Sequence, residues 1–180
     1  MSSESSFSTV DYSSVCVPVT EVLASNCRII YEKWESLRGG KFAPTWTDID
    51  LPKLLSNIIS FIRVIDVSHS PFDLTYRFWG TGLVRALNSE RTGKSLTKLP
   101  AGQAEQVMTD YKSLIEEKAP QVLIYHTENP KVFAPRYAPS VRLPLSDDGE
   151  TVNKIIAYAN FDADQDMWSE IYEKNLRERY

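Results

Sequence analysis

Four arginines lie in stretches patterned like β-strands: Arg63, Arg77, Arg136 and Arg142. A guanidinium drawn into a half-buried strand needs a partner, because an unpaired buried charge is costly. Two kinds of partner fit. An internal carboxylate such as Asp66 or Asp73 is the simpler expectation. The alternative is a small anionic ligand, for instance a carboxylate gripped by two N–H groups of one guanidinium. Aromatic residues accompany these arginines at Tyr76, Phe78, Tyr111, Tyr125 and Tyr158. They either line a cavity or fill it as core. The candidate ligand-binding residues are therefore Tyr76, Arg77, Phe78, Tyr111, Tyr125 and Arg142.

Other chemistries find little support. The histidines, His69 in a turn and His126 near a strand end, belong to no catalytic motif, and neither sits beside a nucleophile. Together with Cys16 and Cys27 they show no metal-ligand spacing. Paired acids at Glu116-Glu117, Asp147-Asp148 and Asp162 to Asp166 fall in turns or at helix ends, where solvation and capping explain them. Gly80-Thr81-Gly82 follows a strand and opens a helix, but Arg85 stands where a dinucleotide loop needs its third glycine, and no βαβ unit follows. A turn that requires glycine is the better reading. Thr92-Gly93-Lys94-Ser95 has the letters that end a phosphate loop, yet Asn88 occupies the upstream glycine position and a helix precedes it. No catalytic residue and no metal site follows from the residues, and no cofactor is specified.

Composition narrows the classes further. The 180 residues suffice for one domain with a sizeable core. A net charge of −4 argues against nucleic acid, which needs a basic surface. No apolar run approaches the roughly 20 residues of a membrane helix. The start of the chain, Met1 to Ser14, lacks the basic and apolar regions of a signal peptide. Two cysteines do not make a disulfide framework. A cytoplasmic protein is the expectation.

The elements that must position these residues read as follows. Residues 1–17 are small and polar, as in a disordered arm. Residues 18–40 form a helix with Val22, Leu23, Ile29, Ile30, Trp34 and Leu37 on one face, closed by Gly39-Gly40. That stripe serves either the domain's own sheet or a second copy of the chain. A homodimer through Val22 to Leu37 is expected, which Ile30→Asp should dissociate. A short helix, Leu51 to Ser60, precedes the strand Phe61 to Val67 and its partner Leu74 to Trp79. Strict alternation puts Leu74, Tyr76 and Phe78 on one face and Thr75, Arg77 and Trp79 on the other. Helical pieces follow, including an amphipathic helix from Ala101 to Lys118. Three strands come next: Gln121 to Thr127, Phe133 to Leu145, and Thr151 to Phe161. Asp147-Asp148-Gly149 turns between the last two. Residues 162–180 form a last helix whose charge order suits its dipole. Five antiparallel strands, with helices inserted between the second and third, make an α+β domain over residues 41–161.

With the segments YEKWESLRGGKFAP, YRFWGTGL, RTGKSL and VRLPLSDDGE, and Asp66 closing the first strand, this order resembles the PAS superfamily. Its closest likeness there is to bacterial stand-alone PAS-like proteins without a fused output domain. The resemblance spans roughly Tyr31 to Phe161. It implies a five-stranded PAS sheet and a non-enzymatic sensory or interaction module that works in signal transduction. Such a module binds a small molecule or a protein partner and dimerises through the helix before the sheet. Haem-holding relatives use a histidine near the central helix, and Ala101 to Lys118 has none. Flavin-linked relatives use Asn-Cys-Arg after the second strand, whereas Asn26-Cys27-Arg28 precedes the first. A ligand-free structural adaptor and a small α+β enzyme with a cone-shaped pocket are the alternatives.

Overall fold

The apolar alternation of Ile62–His69 (β2) and Phe72–Trp79 (β3) produces an antiparallel hairpin around Ser70 and Pro71. In a computed structural model describing residues 12–22, 25–53, 56–98, 101–128 and 133–178, this hairpin occupies one edge of a six-stranded antiparallel sheet. The other strands are Tyr12–Cys16 (β1), Gln121–Thr127 (β4), Tyr137–Leu145 (β5) and Lys154–Ala159 (β6). Their order is β1-β4-β5-β6-β2-β3. The five expected strands are thus contiguous, with the early pair beside the late three, and a sixth strand extends the sheet at β4.

The sixth strand corrects the expected arm. Residues 12–16 are paired along β4, from Tyr12 opposite Thr127 to Cys16 opposite Leu123. Val15 and Val17 enter the core, while Cys16 between them is exposed. A period-2 pattern this short is too weak to stand out among serines, and an existing strand edge makes it pay. The remaining residues of the expected arm, 1–11, lie outside the described ones.

Both faces of the sheet are covered, so β5 is buried along its whole length. Cys27–Arg38 (α2) and Gln165–Glu178 (α6) cover one face. A short helix, Val19–Val22 (α1), is separate from α2, so the single helix expected over 18–40 is broken. Cys27 Sγ donates to the Pro139 carbonyl at 3.6 Å and Trp34 Nε1 donates to the Pro144 carbonyl at 2.7 Å, fixing α2 along β5. Ile30 and Trp34 are 3% and 2% exposed beneath that helix. Of the stripe offered as a dimer contact, Ile30 and Trp34 are closed against the chain's own sheet, so Ile30→Asp would disrupt this core, while Ile29 is 38% exposed and Leu37 half-buried. Gly39 at φ 55° ends α2, as its place in the sequence required.

Ser56–Ile59 (α3) leads into the hairpin, and Thr81–Leu87 (α4) and Ala101–Glu117 (α5) lie across the second face. The β2–β3 ladder contains a bulge. Val64 pairs with Phe78 and Ile65 with Tyr76, which leaves Arg77 as the extra residue. The bulge reverses the alternation beyond it. Trp79 joins Leu74 and Tyr76 in the second-face core, and Phe78 packs toward the first. The strictly alternating assignment of this strand is corrected accordingly.

The glycines after β3 are needed for close approach, not for unusual dihedrals. Gly80 has φ −61°, and a Cβ there would lie 2.3 Å from the Ser60 carbonyl oxygen. At Gly82 it would lie 2.8 Å from the same atom. The Gly80 N–H donates to the Ile62 carbonyl at 2.9 Å, tying α4 to the start of β2. Gly80→Ala is expected to destabilise the fold by about 1–3 kcal/mol, the usual cost of overpacking against backbone, measured as a lowered urea midpoint with an unchanged slope.

Candidate functional site

Strand β2 presents Arg63 to the second face of the sheet, and β5 presents Arg142 two strands away. Both side chains are buried, at 7% and 0% exposure. Their partners come from α5 and the neighbouring strands. Arg63 Nε donates to Tyr111 Oη at 3.2 Å, and its Nη2 donates to Tyr125 Oη and to Ser140 Oγ, each at 3.3 Å. Ser140 passes the chain on, donating to the Tyr158 carbonyl at 2.8 Å. Arg142 Nη1 donates to Gln121 Oε1 at 3.0 Å and Nη2 donates to Tyr125 Oη. Its guanidinium carbon lies 4.0 Å from the centre of the Tyr111 ring. The Tyr125 oxygen thus accepts from both arginines, filling its two lone-pair positions.

The charges around these arginines do not balance locally. Asp110 Oδ2 is 3.8 Å from Arg142 Nη2. Around Arg63 the hydrogen-bond partners among the described residues are neutral hydroxyls. Burial works against both cations, and Arg63 also works against Arg142. The phenols of Tyr111 and Tyr125 outweigh these effects at both arginines, so each stays charged. The influence is mutual. Burial alone would push the Tyr111 phenol up, but Arg63 and Arg142 beside it hold it below the ordinary tyrosine value. Tyr76 has the opposite outcome, since burial and the nearby Tyr111 raise it.

Beside this network is a cavity of about 130 Å³ between the sheet, α4 and α5. Arg63, Tyr76, Tyr111 and Tyr125 line it together with Trp79 and Arg91. Its remaining walls are Thr127 and apolar residues, including Leu83, Leu87, Val107 and Phe161. Arg91 stacks over the Trp79 ring at 5.1 Å, and Trp79 meets Tyr76 edge-on at 4.8 Å. The described lining holds two guanidiniums and neither a carboxylate nor a histidine. A larger cleft of about 510 Å³ lies where α2 and α6 begin. It is wide open to solvent, and the Asp164 carboxylate there already caps the backbone of Asp166 and Met167 at 3.1 Å. The smaller, less open cavity therefore has the better-formed chemistry.

Of the six residues expected to bind a ligand, Tyr76, Tyr111 and Tyr125 line the cavity, and Arg142 lies behind, anchoring two of those tyrosines. Arg77 and Phe78 are corrected. The bulge leaves the Arg77 guanidinium exposed, where its Nε donates to Asp66 Oδ1 at 2.8 Å, and it turns Phe78 to the opposite core. Arg136 precedes β5 on the surface and donates to Glu128, and Tyr158 belongs to the first-face core. Neither Asp66 nor Asp73 neutralises a buried arginine. Asp73 instead accepts from Ser95 Oγ at 2.6 Å and from the Leu74 N–H at 2.8 Å.

Arg63 was legible as an arginine in an apolar strand, but its convergence with Arg142 needed the strand order. Trp79 was hidden by the bulge, and Arg91 by a long sequence separation. Among the described residues no three potential metal ligands gather, and no helix is long and apolar enough to cross a membrane. No family model, curated protein or solved structure matches the chain.

Two outcomes test this electrostatic arrangement. Arg142→Ala should cost about 3–5 kcal/mol in chemical denaturation, since it takes the buried cation away from Asp110, Gln121 and Tyr125. In an alkaline absorbance titration, Tyr111→Phe should remove a tyrosine that ionises below the ordinary value, and Arg63→Met should move that ionisation to higher pH, because a cation favouring the phenolate is gone.

Proposed function

We propose that this protein is a PAS-type sensory module that binds a small molecule between the sheet and helices α4 and α5, with no catalysis of its own. The observation that carries the reading is a half-open cavity of about 130 Å³ whose walls combine apolar side chains with converging buried donors. The run β3-β2-β6-β5-β4, with α4 and α5 inserted after the hairpin, supports the PAS part of it. A ligand-free adaptor would fill this space with side chains. A cone-pocket enzyme would bring an acid–base pair into it, and the described lining offers hydroxyls and guanidiniums instead. Signal transfer would run through the outer helices. α6 is joined to the sheet edge by the hydrogen bond of 2.7 Å between Ser13 Oγ and Tyr172 Oη, so a change in the sheet has a route to it.

Ligand-observed NMR with a library of small fragments tests the reading. The wild-type protein should bind some of them, and Leu87→Trp, which fills the cavity from α4, should abolish that binding while circular dichroism stays unchanged. An absence of binders, or binders indifferent to Leu87→Trp, would refute it.

A further inference from the structure

We infer that the cavity is built for a small monocarboxylate with an apolar or aromatic body. The inference rests on the sensory reading of the same cavity and narrows it to one chemical class. Arg63 and Arg91 line the space without any carboxylate among the described lining residues. Arg63 is 7% exposed, and its hydrogen bonds go to Tyr111, Tyr125 and Ser140, which carry no charge as ordinary hydroxyls. A guanidinium withdrawn from water and left with neutral acceptors is short of a counter-charge.

A second observation is independent of the arginines. Trp79 lines the same cavity, and its indole N–H is buried without an acceptor among the described residues. An indole N–H can only donate, so what satisfies it must accept. Buried polar groups without partners are rare, and this one belongs to a residue of the cavity wall whose ring lies under the Arg91 guanidinium. Arg63 therefore asks for an acceptor that carries negative charge, and the Trp79 N–H adds a donor in the same wall with no acceptor of its own among the described residues.

The remaining walls set the rest of the ligand. Leu83, Leu87, Val107 and Phe161 offer no polar side-chain group, and Tyr76 and Trp79 provide ring surfaces. A bare inorganic anion would leave those walls without contacts, and a volume of about 130 Å³ is well below that of cavities for drug-sized ligands. A planar carboxylate matches the guanidinium fork, and a body of a few carbons or one ring matches the walls.

Benzoate and its neutral counterpart benzyl alcohol are the probes, titrated into the full chain by calorimetry and by NMR of the Trp79 indole N–H, assigned through Trp79→Phe. Benzoate should bind at least tenfold more tightly than benzyl alcohol and shift the Trp79 signal. Arg63→Met should weaken benzoate at least tenfold and leave benzyl alcohol unchanged. The comparison of the two probes on the wild-type protein needs no variant, so it decides the matter even where Arg63→Met fails to fold. Equal affinity for the two probes, or phosphate binding as well as benzoate, would overturn the carboxylate assignment and leave the cavity as a sensor of another class. If fragments of every kind fail to bind, the sensory reading falls with it.

Discussion

Two guanidiniums meet on the hydroxyl of one tyrosine beneath the helices, and the second face of the sheet is arranged around that meeting. Arg63 and Arg142 both donate to Tyr125, and α5 supplies Tyr111 to the first and both the Tyr111 ring and Asp110 to the second. Buried charge of one sign costs stability unless acceptors converge on it; here they meet both Nη groups of Arg142 and leave its Nε without a hydrogen-bond partner among the described residues. The network therefore fixes β2, β4, β5 and α5 relative to one another. Gln121 adds a tie, since its amide nitrogen donates to the Asp110 carbonyl at 3.1 Å while its oxygen accepts from Arg142. Sliding α5 along the sheet would strand a cation, whereas apolar packing alone would permit several nearby arrangements.

The two faces of the sheet do different work. Under α2 and α6 the contacts are mainly apolar, with Trp34 and Trp168 almost wholly enclosed. That face supplies the hydrophobic stabilisation, which needs area and shape but no particular chemistry. Under α4 and α5 the same sheet holds charges, hydroxyls and a cavity, all of which cost stability unless satisfied. The well-packed face makes the less favourable one affordable. The bulge at Arg77 connects the two, because it moves Trp79 into the cavity wall and Phe78 out of it.

Strand β1 adds a link at the other edge. Ser14 donates to Asp110 at 3.4 Å on the cavity side, and Ser13 meets Tyr172 of α6 on the other. Adjacent residues of one short strand thus touch both faces, as the alternation of side chains along a strand requires. An event that moves Asp110 has a short path to α6 through two serines.

The sequence by itself determined the type of most elements. Local periodicity and turn chemistry are sufficient for Gln121–Thr127, for α5, for the C-cap at Gly39 and for the Asp147-Asp148-Gly149 turn, because each depends on neighbours a few residues away. It also marked Tyr76, Tyr111, Tyr125 and Arg142 as residues of interest, since aromatics and arginines in apolar segments are conspicuous. Only the tertiary structure decided which of them meet. Arg63 and Arg142 are 79 positions apart in the chain and converge because β6 alone separates β2 from β5. One extra residue at Arg77 reversed the facing of Phe78 and Trp79, and Tyr12–Cys16 became a strand because an open edge of β4 was there to receive it. Hydrogen-bond register and strand order are set by long-range pairing, which local pattern does not encode.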